Sequence, residues 1–231
     1  MSKFAVRPSA VQSRLAELRE ELSLYLHRCR GRGSSCRWGY GALRELSNLN
    51  ALQAEAVPRP ARIQELLEGM AVASAVLAGA AGFLLFTEGK GSPPVRPVRL
   101  DRAALHTAFF NLVGNACRYS ADRAARLTVR LSPRRCVLLL ENTGDLPPAH
   151  GLGLSAAAAA AERMGGGLRL LGCGGRVFAG FTFPLVPAGE ESCPESPAAA
   201  EYLADPFSPA YIYLADLGHI PGCAQQTKRI Y

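Results

Sequence analysis

Residues 101 to 119, Asp-Arg-Ala-Ala-Leu-His-Thr-Ala-Phe-Phe-Asn-Leu-Val-Gly-Asn-Ala-Cys-Arg-Tyr, constrain this chain more than any other stretch. Leu105, Phe109, Leu112, Val113 and Ala116 recur at helical spacing and form an apolar stripe. Asp101 stands where an N-cap belongs. Asn111, Asn115 and Arg118 fall at i, i+4 and i+7, so they form a polar stripe beside the apolar one. Amide oxygens suit Mg²⁺ and a guanidinium suits phosphate, so such a stripe can hold a metal-bound polyphosphate. Taken alone, it fits the wet face of an ordinary surface helix better.

The downstream residues change that balance. Asn111-Leu-Val-Gly-Asn115-Ala-Cys-Arg118-Tyr119 resembles the N box of the Bergerat-fold (GHKL) ATPases, which include the sensor histidine kinases. Glu141-Asn142-Thr143-Gly144 is similar to their G1 box. Gly151-Leu152-Gly153-Leu154-Ser155 is similar to the G2 box that opens the next helix. A lone Gly-x-Gly carries little information, whereas three boxes in order over about residues 84 to 186 carry much more.

The resemblance implies ATP and Mg²⁺ as cofactors. Asn111 and Asn115 would hold the metal and phosphates, and Arg118 and Tyr119 would contact phosphate and nucleoside. Gly151, Leu152, Gly153 and Leu154 would bring backbone N–H groups to phosphate at a helix N-terminus. Asn142 stands where the family has the Asp that accepts from the adenine amine. Its amide oxygen accepts without charge, and a charge-assisted bond is roughly twice as strong. Glu141 should point to the opposite face of its strand. Only Asp145 to His150 separate Gly144 from Gly151, so the family's mobile lid is nearly deleted.

Ahead of these boxes, Val11, Leu15, Leu18, Leu22, Tyr25 and Cys29 make a heptad seam on a helix over residues 9 to 30. A second helix is expected from Trp38 to Val57, ended by Pro58 and Pro60. Such a hairpin cannot bury its stripe alone, which points to a homodimeric four-helix bundle over residues 1–60. Ala16-Glu17-Leu18-Arg19-Glu20-Glu21-Leu22 lines up with the family's H box, with Ala16 in place of the phosphoacceptor His. A Glu/Leu/Arg-rich helix also produces this string by chance. Glu17 and His27 are the remaining catalytic candidates; His27 lies about 16 Å further along the helix than Ala16.

The 231 residues carry a net charge of +7, and of the 26 basic residues only Lys3, Lys90 and Lys228 are lysine. Arginine is spread along the chain without aromatic clustering, so no nucleic-acid partner is expected. Seven cysteines with no Cys-x-x-Cys pair argue against a disulfide framework or zinc site and for a reducing compartment. No signal-peptide pattern opens the chain. The charge-free run from Gly69 to Phe86 is at the edge of membrane-span length, but its Ala/Gly centre reads as a helix end followed by a strand.

The remaining pattern is helix from Arg62, strand at 82–87, a Gly/Pro turn, the N-box helix, strands 127–131 and 136–141, helix 155–164, and strands 168–171 and 176–183. The fold class is therefore α+β: the helical hairpin (1–60), a Bergerat-type sandwich with a mixed sheet (61–186), and a Pro-rich linker and tail (187–231). Function follows the resemblance: a cytoplasmic histidine-kinase-like ATP-binding protein of two-component signalling, unable to autophosphorylate at Ala16. The alternatives are a non-enzymatic dimeric pseudokinase adaptor that binds a response regulator or partner kinase, and an anti-sigma-factor-type Ser/Thr kinase.

Overall fold

The computed structural model describes residues 8–29, 37–146 and 151–217. Two β-hairpins form most of its main sheet: β4 (Ala124–Ser132) with β5 (Arg135–Thr143), and β6 (Gly167–Cys173) with β7 (Arg176–Pro184). β5 pairs antiparallel with β7, and β2 (Leu84–Gly91) joins β4 in parallel. The order is β2-β4-β5-β7-β6, a mixed sheet. Strand alternation assigns its faces, with Cys136, Leu138, Leu140 and Asn142 buried and Val137, Leu139 and Glu141 facing the other way. β1 (Arg59–Ala61), β3 (Val98–Leu100) and β8 (Val186–Pro187) make a small second sheet that ties the two ends of the sandwich together.

Helices α3 (Ile63–Ala80), α4 (Arg102–Arg118) and α5 (Leu152–Arg163) share the main core with the buried face of the sheet. Phe109 and Phe110 of α4 and Phe181 and Phe183 of β7 are fully buried there. α3 is long and apolar enough to cross a membrane by length and composition, with a mean hydropathy of 1.3. Ile63, Leu66, Leu67, Met70, Ala73 and Ala78 instead lie buried in the domain core. The charge-free run breaks at Gly82, whose φ of +78° turns the chain into β2.

Several boundaries shift from the expected ones. The second helix, α2, runs Arg37–Gln53 and stops before Val57, because Pro58 leads into the extended β1. β2 continues to Gly91 where a turn was expected from Thr87, since its parallel register with β4 holds through Leu131.

The hairpin expectation changes in its physical reason. α1 (Pro8–Cys29) and α2 pack side by side, and Arg14 Nε donates to Glu45 Oε1 at 2.7 Å. Val11, Leu15 and Leu18 are buried within the single chain, in a small core with Ala42 and Leu49 against which Leu152 of α5 packs. This part of the seam needs no second chain. The side chains of Leu22, Tyr25, His27 and Cys29 lie outside the described residues, as do residues 30–36 and 147–150.

The tail also finds a place. α6 (Ala199–Ala204) and α7 (Pro209–Leu214) put Tyr202, Tyr213, Leu214 and Leu217 into the main core. The segment crosses α3 at Gly69, where a Cβ would come within 2.5 Å of the Pro197 carbonyl oxygen. Tyr202 Oη meets His106 Nε2 of α4 at 2.8 Å. Burial, aided by the charge of Arg102 and opposed by Asp101, lowers the His106 pKa to about 4. His106 is therefore neutral in the fold, while the unfolded chain takes up its proton near pH 6.5. Stability is full above that value and falls as pH drops toward 4, by about 2 kcal/mol between pH 7 and pH 5 from this group. Thermal unfolding should show this loss, and His106→Gln should flatten it. Parallel pH profiles for the two proteins would contradict the assignment.

Candidate functional site

Three walls enclose a cavity of about 370 Å³. The first is α4, capped by Asp101 Oδ1 accepting from Ala104 N at 2.9 Å, which contributes Asn111, Asn115, Arg118 and, at its end, Tyr119. The second is the start of α5, Gly151 to Leu154. The third is α2, with Gly41, Arg44, Glu45 and Asn48. The N-box-like Asn111, Asn115, Arg118 and Tyr119 and the G2-like Gly151 to Leu154 thus meet in one place.

Asn111 is buried, and its Nδ2 donates to Asn48 Oδ1 at 2.7 Å and to the Thr107 carbonyl at 2.9 Å. Both donor hydrogens are engaged, so the carbonyl oxygen is what Asn111 has left to offer. That oxygen sits at the G2 turn: a Cβ on Gly153 would lie 2.6 Å from it. An amide oxygen here, with Asn115 one turn along, is a donor set for a hard cation that keeps several waters and takes further oxygens from a phosphate. Among the described residues there is no cluster of three His, Cys, Asp or Glu that would bind a softer metal.

The polar end of the cavity is strongly charged. Arg118 Nη2 donates to Asp216 Oδ1 and to the Tyr213 carbonyl, each at 2.7 Å. Arg44 Nη1 donates to Asp216 Oδ2 at 2.5 Å. Burial and the neighbouring charge of Arg44 lower the Arg118 pKa, while Asp216 works against them. Burial alone would raise the Asp216 pKa, but the two guanidiniums outweigh it and hold the carboxyl below its usual value.

At the other end, Asn115, Tyr119 and Leu154 also line a second cavity of only about 30 Å³, together with Leu112, Leu170 and Val177. That is room for about one water, whereas ligand pockets run to several hundred Å³. Asn142 faces this small space; its Nδ2 donates to the Thr143 carbonyl at 3.0 Å and the Tyr119 carbonyl at 3.4 Å, leaving Oδ1 as an acceptor. Glu141 points to the opposite sheet face, as strand alternation requires, and pairs with Arg176 at 2.5 Å. Gly144 has φ +129°, and a Cβ there would lie 2.7 Å from the Tyr119 carbonyl oxygen. The G1-like strand end and the end of the N-box helix can touch only because this residue is glycine.

Other candidates stand apart from the cavity. Glu17 is exposed and pairs with Arg14 at 3.1 Å, and Arg14 in turn pairs with Glu45 of the cavity wall. Ala16 is exposed on α1. Cys117 and Cys136 are core residues, their thiols pushed up by burial to about 11 and about 12. Arg44, Glu45, Asn48, Tyr213 and Asp216 were not legible as site residues. The only signal for them was the i, i+4 spacing of Arg44 and Asn48 on one helix face.

No protein-family model and no curated protein sequence matches this chain. Solved structures do match its fold. The histidine kinase AdeS of Acinetobacter baumannii superposes with a TM-score of 0.51 at 15% identity, over 76% of this chain and 97% of that one. The full-length ShkA structure, in complex with AMPPNP, gives a TM-score of 0.57 at 21% identity, over 79% of this chain and 47% of that one. The fold is that of a histidine kinase ATPase domain. Within this fold, α4 is the helix that carries the N-box-like residues and α5 the one opened by the G2-like glycines.

The two glycines can be tested separately. Gly144→Ala should lower stability by about 1 to 3 kcal/mol in denaturant titration, because both its φ and the Tyr119 carbonyl exclude a methyl group. Gly153→Ala should displace the buried Asn111 amide, lowering stability by about 1 to 3 kcal/mol and shifting its side-chain NH₂ resonances. A fully stable Gly144→Ala protein would refute the described contact.

Proposed function

We propose that this chain is a histidine-kinase-like protein of two-component signalling that binds ATP–Mg²⁺ in the α4–α5 cavity. The observation that carries this reading is the convergence of the N-box-like and G2-like residues on one cavity of about 370 Å³. Asn111 and Asn115 would hold Mg²⁺, and Arg118 and the first turn of α5 would hold phosphate. Bound Mg²⁺ neutralises phosphate charge. The protein's own residues orient the chain of phosphates, with Tyr119 and Asn142 at the nucleoside end. The cavity beside Asn142 is only about 30 Å³, so a bound base would need the side chains lining it to make room.

Phosphoryl transfer needs a nucleophile held in line with the leaving group. Ala16 has none, and Glu17 has no acceptor beside it to activate. The proposal is therefore a pseudokinase at this position, located in the cytoplasm, with a response regulator or partner kinase as its protein partner. A homodimer through residues 9–57 belongs to the same proposal, and light scattering at micromolar concentration tests it. The small base cavity favours a second reading, a non-enzymatic adaptor that has kept the fold.

Isothermal titration with ATP–Mg²⁺ separates these readings. Weak saturable binding is expected. The uncharged Asn142 and the shortened 145–150 segment should together cost about 1 to 3 kcal/mol, roughly ten- to a hundredfold in affinity. Asn115→Ala should abolish binding and Asn142→Asp should tighten it. Absence of binding at millimolar ATP would select the adaptor. Incubation with radiolabelled ATP should give no acid-labile phosphoprotein, and strong labelling lost in His27→Ala would overturn the pseudokinase reading.

A further inference from the structure

Arg44 belongs to none of the three ATPase-like boxes, yet it lines the same cavity as Arg118. The two guanidiniums come from different helices, α2 and α4, and converge on one carboxylate. Asp216 accepts from Arg44 through Oδ2 at 2.5 Å and from Arg118 through Oδ1 at 2.7 Å, one oxygen for each arginine. All three side chains are largely shielded, at 24%, 19% and 24% exposure for Arg44, Arg118 and Asp216. Two shielded cations at this separation repel each other unless an anion lies between them. In this structure the anion is supplied by the turn that follows α7.

A carboxylate bridging two arginines reproduces the way a phosphate group is held, with separate oxygens accepting from separate guanidiniums. A terminal phosphate brings more negative charge and a third oxygen, so it satisfies the same pair at least as well. The segment is held in place by contacts that meet the same residues. The Tyr213 carbonyl accepts from Arg118, and Tyr213 Oη donates to Asn48 Oδ1 at 3.0 Å, on the amide that also fixes Asn111.

We propose that Arg44 and Arg118 form a two-arginine subsite for the terminal phosphates of a polyphosphate ligand, and that Asp216 fills this subsite as an internal competitor. The proposal rests on the polyphosphate reading of the cavity and adds a residue from the helical hairpin and a gate from the tail. Ligand binding must displace Asp216, so by linkage the ligand loosens α7 and a docked α7 weakens the ligand.

The test compares wild type, Asp216→Asn and Arg44→Gln, each titrated calorimetrically with ATP–Mg²⁺ and with tripolyphosphate–Mg²⁺. Asp216→Asn should bind both ligands about tenfold more tightly or better, and Arg44→Gln should bind both about tenfold more weakly. A gain shared by the base-free ligand locates the competition at the phosphate end. In wild type, saturating tripolyphosphate should accelerate amide hydrogen exchange over residues 209–217, a readout that does not depend on any variant folding. Unchanged affinity in Asp216→Asn, or exchange over 209–217 that stays the same or slows, overturns the competitor while leaving ATP binding intact. Failure of all three proteins to bind either ligand overturns the polyphosphate reading and this inference together.

Discussion

The rest of the structure depends on how completely α4 is enclosed. Most of its residues are buried, and it is packed by the sheet, by α3 and α5, by α2 and by α7. An N-box-like helix in that position carries Asn111, Asn115 and Arg118 into surroundings where an unpaired polar group costs several kcal/mol. The segments that cover α4 therefore have to bring partners with them. α2 brings the Asn48 carbonyl oxygen to Asn111, and the tail brings the Asp216 carboxylate and the Tyr213 carbonyl to Arg118. Hairpin and tail belong to the site because they satisfy its polar stripe.

The two ends of the site follow from this arrangement. The larger cavity is charged, and it exists because three helices meet there without filling the space between them. The smaller cavity is mainly apolar, lined by Leu112, Leu154, Leu170 and Val177 beside Asn142. Burying Arg118 lowers its pKa, and the docked Asp216 offsets that effect, so the tail, the second arginine and the site form one electrostatic unit.

α1 stands one contact further out. Arg14 joins Glu45 on the cavity wall to Glu17 beside Ala16, so α1 is linked to the cavity wall without lining the cavity. Its seam residues Val11, Leu15 and Leu18 are already used inside one chain. The expectation of a four-helix dimer rested on an apolar stripe with no partner. For Val11, Leu15 and Leu18 a domain surface built from α2 and the first turn of α5 supplies one, because burial of apolar area is non-directional and does not distinguish a second copy from the rest of the same chain, so the proposed homodimer would rest on other surface of residues 9–57.

What the sequence determined by itself is local. Periodicity marked α4 and its two stripes, Asp101 marked its cap, alternation separated Glu141 from Asn142, and glycine marked the turns at 144 and 151–153. Each of these depends on neighbours within a few residues, which the chain states directly. The tertiary structure decided who meets the polar stripe. The contacts Asn48–Asn111, Arg118–Asp216 and Arg44–Asp216 span 63, 98 and 172 residues of sequence. No spacing rule reaches that far. Those pairs exist because buried polar groups on α4 need complementary groups, and only the packing of α2 and α7 onto one helix selects which arginines and which carboxylate arrive together.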